Sequence, residues 1–384
     1  MVCENLFQRI ERLIPEYLPI WEQLGNIESP SSYKPGVDAV GNLFAHMAQT
    51  RGWKVERFSQ EVSGDVLCIT LNPDAPGLPV SLSGHMDTVH PIGLFGNPPV
   101  RMDAEKIYGP GITDCKGGIL AGFLAMDALA QCGFSRRPVQ LLLQSDEEVS
   151  SMPSGKATIR YICEKAKNSV AFLNLESHAK HRTTLVRKGI ASYRFTVTGI
   201  EGHSARMVTE GANAVVDAAY KMIRLDQFRD DEGITCNCAI VNGGSALNTI
   251  AGQCVFSVNF RFATQEQQSY IDAYVQKLAA TPHVPGCTCT VEKISYRSAM
   301  EPRPENYELL EKANAIFAAN GLPQLEVTTL RSGSDAADVS AAGIPCLDSF
   351  GTTGGKTHSV EEFAWLSSLE ESAKRIAAVI FCIE

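Results

Sequence analysis

The chain has 384 residues and a formal net charge of −9 at pH 7, with 44% hydrophobic and 20% charged residues. Nucleic-acid binding needs a basic surface, so this acidic chain is not expected to bind DNA or RNA. It also lacks an apolar run of about eighteen residues, so no membrane span is predicted. The length exceeds what one hydrophobic core usually holds, and two domains are therefore expected.

The first half of the chain alternates between helical and buried-strand patterns. Apolar residues at helical spacing predict helices over 6–14, 37–50 and 119–131. Short apolar runs predict buried strands over 66–71, 79–85, 139–144 and 170–175. This alternation is typical of an α/β domain.

Side chains of the metal-binding type follow these buried strands. His85 ends one strand, Glu147 and Glu148 follow another, and Glu176 follows a third. Asp114 lies in a Gly-rich segment before the helix that starts near residue 119, where it could equally serve as a helix N-cap. Taken singly, each has an ordinary structural explanation. Their shared position at strand ends favours a site, because active sites of open α/β sheets lie at that edge.

A different pattern runs from about residue 189. Strands with alternating exposure are predicted over 193–197, 254–262 and 287–294, a short strand over 236–241, and helices over 212–225 and 271–278. The order β-α-β-β-α-β predicts a ferredoxin-like unit inserted between two parts of the α/β domain.

After residue 297 the α/β pattern returns. Helices are predicted over 308–319 and 365–381, and strands over 327–330 and 344–350. A Gly-rich loop, residues 351–357, leads to His358. The predicted domains are therefore 1–188 and 298–384 for the α/β domain, and 189–297 for the insert.

Two imidazoles and several carboxylates thus share one predicted sheet edge. They are His85, Asp114, Glu147, Glu148, Glu176 and His358. Such a set suits two zinc ions, since one carboxylate can bridge them and a remaining glutamate can act as a general base.

Five motifs resemble, in order, those of the di-zinc metallopeptidase family of aminoacylase, acetylornithine deacetylase, succinyl-diaminopimelate desuccinylase, peptidase T and glutamate carboxypeptidase of the carboxypeptidase-G type. The motifs are Gly-His-Met-Asp-Thr-Val (84–89), Gly-Pro-Gly through Asp-Cys-Lys-Gly-Gly (109–118), Asp-Glu-Glu (146–148), Leu-Glu (175–176) and Thr-His-Ser (357–359). The resemblance covers essentially the whole chain. It implies an α/β catalytic domain with a mixed central sheet flanked by helices, interrupted by a ferredoxin-like dimerisation or lid domain.

The resemblance implies two Zn²⁺ ions per subunit, with Co²⁺ or Mn²⁺ as alternatives. Asp114 would bridge them; His85 and Glu176 would complete one site, and Glu148 and His358 the other. Asp87 would support His85, and Glu147 would be the general base acting on a metal-bridging hydroxide. The Asp114–Cys115 peptide bond is expected to be cis, which for a non-proline residue is rare outside functional sites.

The resemblance also implies roles in the insert and beyond. His203 resembles the histidine that reaches a partner's active site and stabilises an oxyanion, which implies a homodimer through the inserted domain. Asn248, Arg297 and Gly333 resemble substrate-binding positions, and a guanidinium suits a substrate carboxylate. The chain departs from the family at Cys115, where aspartate or methionine is commoner.

The other histidines give weaker indications of a functional role. His178 and His181 are alternatives to Glu176 as ligands, but both are expected to be solvated. His90 lies close to the first motif and receives no role. The twelve cysteines form no Cys-x-x-Cys pair, which excludes a zinc ribbon. They are expected to be reduced core residues of a cytoplasmic protein, since residues 1–18 lack a signal-peptide pattern.

The leading hypothesis is a zinc metallopeptidase or amidohydrolase that cleaves an amide bond, peptide or N-acyl, next to a free carboxylate in a small molecule. Within the family, the chain most resembles the glutamate-carboxypeptidase type. The alternatives are an N-acyl amino acid deacylase and a catalytically silent binding protein, against which Glu147 argues. A serine hydrolase is disfavoured because no Gly-x-Ser-x-Gly motif is present.

Overall fold

A computed structural model describes residues 2–384 and leaves Met1 outside the described part. The chain forms two compact units. The first unit contains the residues up to Val186, Pro302–Thr329 and the residues from Ser334 onward, and the second contains Arg187–Glu301 with Leu330–Gly333. Within residues 2–384, no helix is both long enough and apolar enough to cross a membrane.

The helices and strands are numbered in chain order. The α-helices are α1 (Glu4–Asn26), α2 (Lys34–Thr50), α3 (Gly117–Gln131), α4 (Ala157–Ala166), α5 (Ala214–Leu225), α6 (Gln265–Ala280), α7 (Pro304–Ala319), α8 (Asp335–Ala341) and α9 (Ser367–Cys382). The longer strands are β1 (Lys54–Phe58), β2 (Val66–Leu71), β3 (Val80–His85), β6 (Val139–Gln144), β7 (Ala171–Asn174), β8 (Arg182–Arg187), β9 (Gly189–Thr198), β11 (Thr235–Gly243), β13 (Gln253–Phe262), β14 (Thr288–Arg297) and β15 (Glu326–Leu330). The short strands are β4 (Arg101–Met102), β5 (Lys106–Tyr108), β10 (Gly202–His203), β12 (Thr249–Ile250), β16 (Cys346–Leu347), β17 (Gly354–Gly355) and β18 (Phe363–Trp365).

The first unit is built on a mixed six-stranded sheet with the order β1-β2-β6-β3-β7-β16. Strands β6, β3, β7 and β16 run parallel, whereas β1 and β2 pair antiparallel. Every residue of β2, β3 and β7 is buried, as expected for strands that are covered on both faces. The predicted α/β fold with a mixed central sheet flanked by helices is confirmed.

Helix α3 lies at the centre of the helical packing. Residues 117–129 of this helix are all buried, and α3 packs against α1, α9, β3 and β6. A helix that is apolar on all sides needs cover on all sides. Its first turn is therefore held rigidly next to the ends of the strands that it covers.

The second unit contains a four-stranded antiparallel sheet with the order β11-β13-β9-β14. Together with α5 and α6 this is the ferredoxin-like arrangement. The alternating residues Phe195, Phe256 and Phe260 are buried and share a core with Ala218 of α5 and Ile271 of α6. The opposite face of the sheet is more exposed, which explains the period-two pattern in the sequence.

The segment Leu330–Gly333 was expected to belong with residues 298–384, but it lies with the second unit. The Arg187 guanidinium donates to Ser332 Oγ (2.9 Å), and the Lys188 backbone amide donates to the Leu330 carbonyl oxygen (3.2 Å). These contacts join residues far apart in the chain, and so local sequence patterns do not reveal them.

Candidate metal centre

Strand register brings three of the predicted ligand segments together. Strands β3, β6 and β7 are parallel neighbours, and their carboxyl ends therefore meet at one edge of the sheet. His85 is the last residue of β3 and pairs with Gln144, the last residue of β6. Glu147 and Glu148 follow in the turn after β6, and Glu176 follows β7. Residues distant in sequence thus share one site.

Asp114 reaches the same edge through a glycine-rich turn. Gly111 has a φ of 68°, a conformation that favours glycine, and the Asp114–Cys115 peptide bond is cis, as expected. A Cβ on Gly118 would overlap the carbonyl oxygen of Leu175, just before Glu176. Only glycine therefore allows the start of α3 to lie against the end of β7, and this contact positions Asp114.

The first candidate ligand group comprises His85, Asp114 and Glu176. His85 Nε2 lies 3.0 Å from Asp114 Oδ1 and 3.6 Å from Glu176 Oε1. One potential ligand atom from each residue lies within 4.8 Å of those of the others. His85 is almost completely buried, so this arrangement is held away from solvent.

The second candidate group comprises Asp114, Glu148 and His358. His358 Nε2 lies 3.3 Å from both Asp114 Oδ2 and Glu148 Oε2. The two groups share Asp114, whose Oδ1 faces His85 and whose Oδ2 faces His358. A carboxylate with its oxygens turned to different imidazoles has the geometry of a bridge between two cations.

The hydrogen bonding of His85 is compatible with a bound cation. Its Nδ1 lies 3.0 Å from the main-chain oxygen of Asp87, an acceptor, so in the neutral ring Nδ1 carries the proton. The lone pair of Nε2 then points towards two carboxylate oxygens, from Asp114 and Glu176. Acceptors that face acceptors repel unless a positive charge lies between them. Imidazole and carboxylate are ligands that zinc accepts, so the residues fit a divalent metal.

The electrostatics of these side chains agree with this interpretation. Burial raises the pKa of Glu176 well above its ordinary range, and the negative charge of Asp114 adds to the effect. Burial likewise raises the pKa of Glu148. The hydrogen bonds to Asp114 and Glu148 raise the pKa of His358 to about 10. These shifts show that the buried carboxylates favour a positive charge among them, which divalent cations would supply.

Asp87 is completely buried and connects the elements around the site. Its Oδ1 accepts from the Glu147 backbone amide (3.1 Å), and its Oδ2 accepts from the Glu148 backbone amide (3.1 Å) and from Ser31 Oγ (2.6 Å). The same carboxylate lies 3.5 Å from His85 Nδ1, farther than the main-chain oxygen of Asp87. The carboxylate is therefore hydrogen-bonded to Ser31 and to the turn that carries Glu147 and Glu148, and it lies farther from the imidazole.

Glu362 contributes to the site but was not recognised in the sequence. This buried carboxylate accepts hydrogen bonds at Oε1 from the backbone amides of Thr113 (3.0 Å) and Asp114 (3.2 Å). Its Oε2 lies 3.0 Å from His90 Nε2. His90 and Glu362 thus form a buried pair that holds the backbone next to Asp114. The only sequence signal was their closeness to two metal motifs, since their pairing joins residues 272 positions apart.

His178 differs from the expectation of a solvated side chain. It is buried, its Nδ1 lies 2.8 Å from the Ala179 carbonyl oxygen, and its Nε2 lies 3.2 Å from Thr353 Oγ1. Burial lowers its pKa to about 4. His181 contacts Arg375, with 2.9 Å between its Nδ1 and the guanidinium. Neither imidazole belongs to the two candidate ligand groups. Glu176 belongs to the group with His85 and Asp114.

The remaining predicted site residues lie in the second unit. His203 is exposed at the end of β10 and pairs with Thr249 of β12, and the Ser204 amide donates to the Asn248 carbonyl oxygen (2.9 Å). His203 and Asn248 therefore lie on adjoining segments.

Arg297 and Gly333 also lie next to each other in this unit. Arg297 is the last residue of β14 and is buried. A Cβ on Gly333 would overlap the Arg297 side chain, so this close approach requires glycine.

The chain is similar to known proteins over much of its length. The chain is 28% identical to carboxypeptidase G2 of Pseudomonas sp. strain RS-16 over 361 residues, covering 92% of this chain and 86% of that protein. It is 25% identical to acetylornithine deacetylase of Buchnera aphidicola, covering 70% and 73% of the two chains. A succinyl-diaminopimelate desuccinylase of Acidovorax ebreus is 30% identical but is matched over only 48% of this chain and 51% of its own length.

Solved structures share the fold at low sequence identity. An aminopeptidase from Bacillus cereus aligns with a TM-score of 0.77 at 17% identity, covering 96% of this chain and 98% of that one. A metallo-carboxypeptidase from Sulfolobus solfataricus aligns with a TM-score of 0.69 at 16% identity, covering 95% and 98%. Residues 81–381 match peptidase family M20/M25/M40. The chain therefore belongs to peptidase family M20/M25/M40, whose members are metal-dependent hydrolytic enzymes, and this favours an enzyme over a silent binding protein.

Proposed function

We propose that this protein binds two divalent metal ions, with zinc preferred and Co²⁺ or Mn²⁺ as alternatives. Asp114 is the proposed bridge between them. The proposed ligands of one ion are His85 and Glu176, and those of the other are Glu148 and His358. The observation that carries this proposal is the Asp114 carboxylate, because each of its oxygens faces a different imidazole.

The ions, when bound, would polarise a substrate carbonyl and make a water molecule more acidic. We assign to Glu147 the role of general base: its carboxylate takes a proton from the attacking water and passes it to the leaving amine nitrogen. The contact between the Glu147 amide and Asp87 supports this role, because it holds Glu147 in the turn that also carries Glu148. Asp87 is thus a positioning residue.

The proposed reaction is hydrolysis of an amide bond, peptide or N-acyl, next to a free carboxylate in a small molecule. The similarity to carboxypeptidase G2 over 92% of the chain supports a glutamate-carboxypeptidase type of substrate. Arg297, Asn248 and Gly333 are proposed to bind that substrate. A guanidinium can hold a carboxylate through two parallel hydrogen bonds, which suits Arg297 to the terminal carboxylate.

His203 is proposed to stabilise the oxyanion in the active site of a second copy, with the second unit acting as the dimerisation or lid domain. Its exposed side chain supports this role. The test mixes two inactive variants, Glu147→Gln and His203→Ala, under conditions that exchange subunits. Restored activity is expected, because the mixed dimer carries one site with both functional groups. A dimer whose mixture stays inactive would contradict supply of His203 by the partner.

A second candidate function is deacylation of N-acyl amino acids. The similarity to acetylornithine deacetylase of Buchnera aphidicola favours it, although identity and coverage are lower than for carboxypeptidase G2. The two functions share the metal centre and differ in the side chain and acyl group that are recognised. One panel of substrates can therefore distinguish the two functions.

The substrate test uses protein stripped with a chelator and reloaded with Zn²⁺, Co²⁺ or Mn²⁺. The panel contains dipeptides and N-acyl amino acids ending in glutamate, aspartate, an uncharged residue or a basic residue. Hydrolysis confined to acidic C-terminal residues supports the carboxypeptidase proposal, and a preference for a basic side chain supports the deacylase. Metal-loaded protein that hydrolyses none of these compounds would contradict both.

The role of Glu147 is tested with Glu147→Gln, which keeps the size of the side chain and removes its basicity. We expect kcat to fall about 10²–10⁴-fold, the usual contribution of a general base, while the metal content stays the same. Glu164→Gln, at an exposed position on α4, is the matched control and should keep wild-type kcat. A Glu147→Gln enzyme with near-normal kcat would exclude this residue as the base.

A further inference from the structure

Two cysteines from opposite ends of the described chain lie in contact. Cys3 immediately precedes α1, and Cys382 is the last residue of α9. Their sulfur atoms are 3.6 Å apart, although the residues are 379 positions apart in the sequence. Helices α1 and α9 pack directly against each other in the first unit, so the contact lies within a packed region.

Local hydrogen bonds hold the backbone on both sides of this pair. The Cys3 amide donates to Asn320 Oδ1 (3.0 Å), and the Phe7 amide donates to the Cys3 carbonyl oxygen (2.9 Å). On the other side, the Arg137 guanidinium donates to the Ile383 carbonyl oxygen (2.7 Å). The sulfurs therefore meet because the backbone brings them together, and a bond between them needs an approach of about 1.5 Å from contact distance.

The two thiols differ in their accessibility. Cys3 is buried, whereas Cys382 is partly exposed. Burial raises the pKa of the Cys3 thiol to about 12, and its hydrogen bond with Cys382 acts in the same direction. An external reagent therefore meets Cys382 first, and Cys3 reacts afterwards as the thiol that resolves the intermediate.

We propose that Cys3 and Cys382 are a redox-active pair that forms a disulfide with a low-molecular-weight disulfide as the oxidant. In the first step, the Cys382 thiolate attacks one sulfur of the oxidant, a mixed disulfide forms and one small thiol leaves. In the second step, Cys3 attacks the Cys382 sulfur, the second small thiolate leaves, and the proton of Cys3 passes to that leaving thiolate. The protein pair is oxidised by two electrons and the small disulfide is reduced to two thiols.

This bond would close almost the whole described chain into a loop. A disulfide stabilises mainly by restricting the unfolded chain, and the effect grows with the length of the loop. It would also join α1 to α9, which pack with α3 beside the metal centre. Oxidation is therefore expected to raise the midpoint of thermal unfolding, and reduction should reverse that rise.

The test exposes metal-loaded protein to glutathione disulfide, blocks free thiols, digests with trypsin and analyses the peptides by mass spectrometry. The expected product joins the peptide that ends at Arg9 to the peptide that begins at Ile376, and it disappears on reduction. This cross-link is distinct from one between Cys236 and Cys238, which share a strand. The proposal is overturned if Cys3 and Cys382 remain separate after the exposed Cys132 has reacted completely.

Matched variants provide the second readout. Cys382→Ser alters the partly exposed partner and should abolish both the cross-link and the oxidation-dependent rise of the unfolding midpoint; Cys3→Ser should do the same. Cys132→Ser, at an exposed position, should retain both. An oxidation-dependent rise that persists in Cys382→Ser would refute the assignment, even if Cys3→Ser does not fold.

Discussion

Replacing Asp87 with asparagine distinguishes the role of its carboxylate from the role of its main-chain oxygen. The main-chain oxygen of Asp87, which accepts from His85 Nδ1, is retained in Asp87→Asn. The carboxylate, which accepts from the amides of Glu147 and Glu148 and from Ser31, becomes an amide with only one acceptor oxygen. The change therefore acts on the turn that carries Glu147 and Glu148 more than on His85.

The size of the effect follows from these contacts. With the amide oxygen in the place of Oδ2, the hydrogen bond from the Glu147 amide is lost, and two N–H groups then face each other in a buried place. One hydrogen bond to a charged group contributes about 1.5–3 kcal/mol, which corresponds to a factor of about 10–100. Outer residues of metal sites typically affect activity by a similar factor. We expect kcat of Asp87→Asn to fall about 10–100-fold.

The measurement determines kcat and metal content for the variant and the wild type at saturating zinc, using the best substrate from the panel. Metal content should stay near wild type, because His85 keeps its main-chain partner. Ser31→Ala is the matched control: it removes one hydrogen bond but leaves the carboxylate charge, so its loss in kcat should stay below about tenfold. If Asp87→Asn retained kcat within about threefold of wild type, the proposed positioning of Glu147 would be wrong.

Three further changes test the surrounding structure. Glu362→Ala leaves the Asp114 amide without its acceptor, so the apparent affinity for zinc, measured with a competing chelator, should fall about 10–100-fold. Gly118→Ala forces a Cβ against the Leu175 carbonyl oxygen, and urea unfolding should show a loss of about 1–3 kcal/mol or more. Burial alone would raise the pKa of Asp127, but hydrogen bonds lower it below its ordinary 3.8. The ionised Asp127 carboxylate therefore stabilises the fold fully at pH values above its unfolded-state pKa of 3.8, and this stabilisation is lost as the pH falls through the lower folded-state pKa. The loss of stability caused by Asp127→Asn should consequently become smaller below about pH 4.

Each of these changes has a control on the same chain. For Glu362→Ala the control is Glu361→Ala at an exposed position, which should keep the zinc affinity. For Gly118→Ala it is Gly202→Ala, which should unfold like wild type because its Cβ would meet only Ile250 at 3.6 Å. For Asp127→Asn it is Asp74→Asn at an exposed position, whose stability should show no such pH dependence. Unchanged zinc affinity in Glu362→Ala, or wild-type stability in Gly118→Ala, would contradict the contacts described. A deficit of Asp127→Asn that is constant from pH 3 to pH 7 would contradict the lowered pKa.

Much of the fold was predictable because local patterns follow local structure. The buried strands 66–71 and 139–144 were predicted with the bounds that the structure has. The elements of the insert were predicted in the right order from their alternating residues, since one face of that sheet is buried and the other is more exposed. Helix α4 and strand β1 were missed; β1 is a partly exposed edge strand with a weak apolar pattern.

Errors and omissions came from contacts between distant residues. The burial of His178 depends on Thr353, and the pairing of His90 with Glu362 joins segments that no local pattern relates. The membership of Leu330–Gly333 in the second unit depends on hydrogen bonds from residues 187 and 188. A polar loop looks the same in sequence whether a partner covers it or not.

The sequence by itself determined the residue types of the candidate metal centre and placed His85, Glu148 and Glu176 at or just after strand ends, because a parallel strand fixes where its last side chain emerges. The tertiary structure alone decided which atoms face each other. It turned the two oxygens of Asp114 towards different imidazoles, directed the Asp87 carboxylate to the turn of Glu147 and Glu148, and brought the sulfurs of Cys3 and Cys382 into contact. These relations depend on strand register and helix packing over long separations, which local sequence does not encode.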